Sequence, residues 1–311
     1  MKSHQRLMIF LLLVLALTCV ISPWLALGAD WFGTRWPGGQ FERVPFSRIF
    51  NRAFMIAAIM LFFLCRRFLR IGKFAELGVV GLPAGGRDLL TGLTLAVGSM
   101  VLLAMAMTAA HVFTPYFRVS FRPALARCAS ALAAGAFAGC LEEIFFRAIL
   151  FKGLLKDGRP LRAFFLANLF YSVLHFVKPG EAYFLDQFDF WAGFRHLLST
   201  FQPFFEPLPL LPGIFGLFLI GVVLSYAFMR TGNLNLSIGL HAGWIFSLKT
   251  MRVFGDFTRE DLGWAFGSSD PKIVSGVATW VGILLVGAAV HRLTQGRPHL
   301  VPVHSARSTM Q

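Results

Sequence analysis

Long apolar runs dominate this chain and leave it few ways to fold. Over residues 7–27, 89–112 and 128–151 they reach ~20 residues, the length that carries a helix across ~30 Å of hydrocarbon. Inside lipid every backbone N–H and C=O must pair within the protein, so only helices or a closed barrel can span. The runs are continuous rather than alternating, which argues against the barrel. Hydrophobic residues make up 56% of the chain and charged residues 14%, where a soluble domain carries about 25% charged. The chain reads as an all-α polytopic membrane protein, a single integral membrane domain over 1–311.

About eight spans are expected, packed as a bundle: 7–27, 53–65, 89–112, 123–155, 163–176, 214–229, 233–248 and 273–290. The first is too long for a cleaved signal and is taken as a retained helix. Pro123 suits the first turn of the fourth span, where its missing N–H costs nothing. Asn233 is placed to cap the seventh. Between the fifth and sixth spans, Phe184, Phe188, Trp191, Phe194, Leu198 and Phe201 recur every three or four residues. That period predicts an interfacial helix near 184–201. The core of interest lies at 123–250, and 291–311 forms a basic cytoplasmic tail.

The net charge of +14 follows the same logic. Arg66, Arg67, Arg70 and Lys73, then Lys152, Lys156, Arg159 and Arg162, fall in loops that an even number of spans puts on one side. They read as cytoplasmic topology charges, with both termini cytoplasmic and a bacterial inner membrane as the setting. No basic stretch interleaves with stacking aromatics, so nucleic acid is not an expected partner. Cys19, Cys65, Cys128 and Cys140 form no CxxC pair, which argues against a disulfide framework and a thiolate zinc site.

Against this background the segment Glu142-Glu143-Ile144-Phe145-Phe146-Arg147 stands out. An ionisable side chain at mid-membrane costs roughly 2.5–3.5 kcal/mol on insertion scales, and a helix that carries three is expected to use them. Glu143 and Arg147 are four apart and share a helix face, so they can pair. Glu142 lies ~100° round the helix, without that partner. An unpaired carboxylate in a dry pocket suits a general base. His175 and His241 fall inside later spans. At 1.5 Å per residue Glu142 lies ~18 Å, His175 ~20 Å and His241 ~12 Å from the cytoplasmic ends of their helices. Three helices thus bring a carboxylate and two imidazoles to similar heights.

The order of these motifs resembles the CPBP intramembrane proteases, the group of the type 2 CAAX prenyl endopeptidases and bacterial Abi proteins. The resemblance runs from about 124 to 248 and rests on Glu142-Glu143-x-x-x-Arg147, on Tyr171-x-x-x-His175, and on a third motif opening at His241. It implies an eight-helix membrane fold and hydrolysis of a peptide bond in or at the membrane. By the same resemblance Glu142 activates water with help from His175, Glu143 and Arg147 hold Glu142 in place, and His241 stabilises the oxyanion. The implied partners are the lipid bilayer and a peptide or protein substrate, prenylated or otherwise membrane-anchored and cut near its C-terminus.

Two positions depart from the family pattern. Tyr171 stands where Phe is usual, and Ile245 where Asn or Asp usually follows the third-motif histidine. Ile offers no donor; Ser237 and Asn168 are the nearby groups that could replace one. No cofactor is expected. Two rival readings remain open: a metal-dependent protease with Glu142, His175 and His241 as ligands, zinc being the ion such a set takes, and a non-catalytic membrane carrier or scaffold.

Overall fold

The computed structural model describes residues 3–35, 44–69, 77–156, 159–177, 184–185, 187–267 and 273–297. Arg70, Lys73 and the tail from residue 298 onward lie outside the described residues. In chain order the elements are α1 (Ser3–Arg35), α2 (Phe46–Cys65), α3 (Leu82–Ala109), β1 (Phe113–Pro115), α4 (Phe121–Glu143), a π-helical segment (Ile144–Phe151), α5 (Lys152–Leu155), α6 (Pro160–Leu174), α7 (Ala192–Ser199), α8 (Leu211–Thr231), α9 (Asn235–Met251), β2 (Gly255–Phe257), α10 (Gly263–Phe266) and α11 (Val277–Leu293). Short 3₁₀ turns precede α8 and α11.

This is a helical integral membrane protein. Five helices are long and apolar enough to cross a membrane: Gln5–Arg35, Phe46–Cys65, Leu82–Ala109, Phe121–Leu155 and Leu208–Thr231. Each of the other three expected spans is also a helix, but a shorter one. α6 has 15 residues, and α9 and α11 have 17 each. Pro123 sits in the first turn of α4, behind Ser120 as N-cap, where the backbone N–H would have no intrahelical acceptor.

The chain divides into two compact units, Met1–Gly72 with Leu174–Leu210, and Lys73–Val173 with Leu211–Gln311. In the first, α1, α2 and α7 share a core of Cys19, Ala26, Phe46, Ile49, Phe50 and Ala192. α7 is much shorter than the helix expected over 184–201, and the residues before it are bends and turns. Ala192, Gly193 and His196 are buried, while Trp191, Leu198 and Phe201 of the aromatic period are exposed. The small residues seat it, because a Cβ on Gly193 would collide with the Cys19 backbone. His196 packs between the rings of Phe46 and Phe50, at centroid distances of 5.3 and 4.6 Å.

In the second unit α9 lies between α3 and α4, and most of its residues are buried. Shielded from lipid by its neighbours, it can carry Asn235, Ser237, His241 and Ser247. Two Gly-x-x-x-Gly patterns make the packing close. On α4, a Cβ on Gly135 would come within 2.7 Å of the Ala242 carbonyl, and one on Gly139 within 3.1 Å of the Ala242 nitrogen. On α9, Gly239 and Gly243 meet the backbone of Leu89 and Leu93 in α3. Small residues at this spacing let helix backbones approach where hydrophobicity gives no drive for association. On the far flank of α9, Val223, Leu224 and Ala227 of α8 join Ile283, Val286 and Val290 of α11 in one core with Leu236, Leu240 and Trp244.

Both ends of α9 are tied down. At its start the N-cap position falls on Leu234, not on the expected Asn233; the Asn233 side-chain oxygen, one residue earlier, accepts the Asn235 N–H at 3.0 Å. The Asn235 amide then donates to the Val80 carbonyl at 3.1 Å. Beyond its end, β2 pairs antiparallel with β1 in the register Phe113–Phe257, Thr114–Asp256 and Pro115–Gly255. Sequence reading placed no strands there, since three-residue strands carry too little alternation to detect.

Candidate active site

α4 delivers the two glutamates at its last turn and then changes pitch. From Ile144 to Phe151 the backbone is π-helical, and the Lys152 N–H reaches back to the Arg147 carbonyl, five residues earlier. Such segments are rare and frequent at functional sites. Across this change of pitch Arg147 Nη1 donates to Glu143 Oε1 at 2.8 Å. The pair is fully enclosed, with side-chain exposures of 1% and 0%. The expected i,i+4 pairing is therefore present.

Glu143 Oε1 also accepts from His241 Nδ1 at 2.8 Å. A carboxylate only accepts, so this contact assigns the proton to Nδ1. The other edge of the ring, Nε2, faces Glu142 Oε2 at 3.7 Å. The two adjacent carboxylates thus take the two edges of one imidazole, and they differ in access. The Glu142 side chain is 33% exposed, while Glu143 is sealed. The Gly-x-x-x-Gly contact at Gly135 and Gly139 is what allows α9 near enough for this reach.

The second unit encloses Arg147 further. Its Nη2 donates to the Gly221 carbonyl of α8 at 3.3 Å. The guanidinium carbon stands 4.6 Å from the Tyr171 ring centre and 5.9 Å from that of Phe146. Tyr171, fully buried, meets the Phe146 ring edge-on at 4.9 Å and the His241 ring at 6.1 Å. The Tyr171 departure keeps the aromatic face that a cation prefers.

Four of the five predicted site residues, Glu142, Glu143, Arg147 and His241, therefore converge. His175 follows the last residue of α6 in a turn, half-buried, rather than inside a helix, and is counted with the first unit. The two candidate replacements for the donor missing at Ile245 are otherwise engaged. Ser237 donates to the Leu234 carbonyl at 3.0 Å. Asn168 donates to the Phe164 carbonyl at 2.8 Å and accepts from Ser225 at 2.8 Å. Gly221 and Ser225 on α8 went unnoticed in the sequence, because they are small residues in an apolar run. The Gly-x-x-x-Gly pairs were also missed, though their spacing was readable.

A metal-ligating reading is not supported. Among the described residues no three His, Cys, Asp or Glu side chains gather in a way that could hold an ion. His241 Nδ1 is already bonded to Glu143, and that leaves the ring one nitrogen for any further ligand role.

Residues 123–247 match the family model described as type II CAAX prenyl endopeptidase Rce1-like. Comparison with curated proteins and with solved structures gives no match. The matched residues run from the first turn of α4 to within four residues of the end of α9 and include Glu142, Glu143, Arg147, His175 and His241. That match, over 125 of the 311 residues, supports the resemblance of this segment to the CPBP family of CAAX-type membrane proteases.

Proposed function

We propose that the protein is a glutamate-type intramembrane endopeptidase, cutting a peptide bond near the C-terminus of a membrane-associated or lipidated protein without a metal. The observation that carries the reading is the division of labour around His241: Glu143 holds Nδ1 at 2.8 Å, while the accessible Glu142 faces Nε2 at 3.7 Å. Glu142 is the general base. It takes one proton from water as the water oxygen bonds to the scissile carbonyl carbon, and returns that proton to the leaving nitrogen as the C–N bond breaks. His175 assists it, a role that the family resemblance alone supplies.

His241 stabilises the oxyanion through Nε2–H. Since Nδ1–H is given to Glu143, that role requires the imidazolium form. Glu143 and Arg147 fix the ring and the carboxylate rather than react. The protein sits in a bacterial inner membrane with both termini cytoplasmic and about eight membrane-crossing helices, the shorter α6, α9 and α11 included. The test is substrate trapping in native membranes. A Glu142→Gln variant should accumulate uncleaved C-terminal peptides that wild type processes, and chelators should leave wild-type processing intact. Equal processing by the variant would sink the enzyme reading in favour of a carrier or scaffold, and loss of processing with chelator would restore the metal.

A further inference from the structure

Resting on that reading, we infer that Gly221 and Asn168 are positioning residues for the reaction, and that α8 is an arm of the site that the family motifs do not include. Arg147 presents a rigid fork of N–H donors. One arm goes to Glu143 and the other to the Gly221 carbonyl. Two acceptors on two helices fix the plane of the guanidinium as well as its place. That plane lies over Tyr171 at 4.6 Å. Because Glu143 Oε1 is shared between Arg147 and His241, any rotation of the guanidinium is passed directly to the imidazole.

With no side chain at residue 221, α8 sits close against Asn168 and Tyr171. A Cβ there would lie 3.0 Å from Asn168 Oδ1 and 3.1 Å from Tyr171 Cδ1. One turn further on, Ser225 donates to the same Asn168 oxygen at 2.8 Å, and the Asn168 amide donates to Phe164 at 2.8 Å. Asn168, Ser225, Tyr171 and Arg147 are each 1% exposed. In so dry a place, a buried amide with both ends bonded sets one register of α8 against α6. That register presents the Gly221 carbonyl to Arg147.

The test uses the full-length protein in proteoliposomes with a cleavable peptide. Gly221→Ala should lower kcat about tenfold, leave KM within about twofold and barely move the melting temperature. Arg147→Lys keeps the charge but cannot fork, so in that background Gly221→Ala should cost nothing more. Ser225→Ala, which adds no bulk, should give a smaller kcat loss that Arg147→Lys also masks. It serves if Gly221→Ala fails to fold. Multiplying losses in the double variants, or an effect confined to KM, would overturn the inference. Guanidinium NMR supplies a readout free of turnover: separate Nη signals of Arg147 in wild type should merge in Gly221→Ala, and signals that stay separate refute the inference. The Glu142→Gln control keeps the two ideas apart, because it judges the protease reading whatever residue 221 does.

Discussion

The carboxylate of Glu143 meets Nδ1 of His241 at 2.8 Å across the contact of α4 with α9. The residue expected to support its neighbour on the same helix therefore also orients the imidazole of another. Its remaining oxygen, Oε2, and Arg147 Nε are buried without a hydrogen-bond partner among the described residues, so this small group of charges has little slack.

Glu142→Gln is expected to reduce kcat by about 10²–10⁴ fold, the usual worth of a general base, with an unchanged melting temperature. Glu142 is part-exposed, so its neutral isostere leaves no buried charge unpaired. Parallel turnover and thermal-melt measurements check both halves.

Breaking the sealed ion pair should act on stability instead. Glu143→Ala leaves Arg147 charged and enclosed, and removal of one partner of a buried pair costs about 3–5 kcal/mol. Glu143→Met with Arg147→Leu should lose less than either single change to Ala. Unfolding in detergent, followed by circular dichroism, decides the order.

Ile245→Asn should raise kcat. It restores a donor one turn after His241, half-buried on α9, and one oxyanion donor is worth up to about 10²-fold. Single-turnover cleavage, compared with wild type at saturating peptide, reads the gain directly.

Helix contact should respond to glycine position. Gly239→Leu drives a side chain into the Leu89 carbonyl, whereas Gly282→Leu enters space with nothing within 4 Å of the added Cβ. The first should abolish the monodisperse folded peak in size-exclusion chromatography, and the second should keep it.

Acid should loosen the first unit. Burial between Phe46 and Phe50 pushes the His196 imidazole below its ordinary value of 6.5. A folded-state value below the unfolded one means the unfolded chain binds more protons as pH falls. The stabilisation is full above about pH 6.5 and declines below it. The melting temperature should drop between pH 7.5 and 5, and His196→Leu should flatten that slope.

Much of this was legible in the sequence. Membrane length marked the long helices, and i,i+4 spacing marked Glu143–Arg147. Helix depth brought His241 to the height of the glutamates, but depth says nothing about rotation. Which carboxylate takes which ring edge depends on how α9 turns against α4, and Gly135 and Gly139 set that contact. The change of pitch after Glu143 leaves no mark in an apolar run. Of the interfacial helix expected over 184–201, only Ala192–Ser199 is helical, because the aromatic period runs on through residues that form no helix. α7 is seated through Ala192 and Gly193, whose small size is a weak signal beside six large rings and leucines.

Fastening α9 at both ends has a mechanical result. A slide by one turn, about 5.4 Å, would pull Asn235 from Val80 at one end and break the β1–β2 ladder at the other. α9 is therefore the fixed jaw of the second unit, and His241 is mounted on the part that stays still. On the proposed reading, a peptide that enters from the bilayer would find its oxyanion donor already in place.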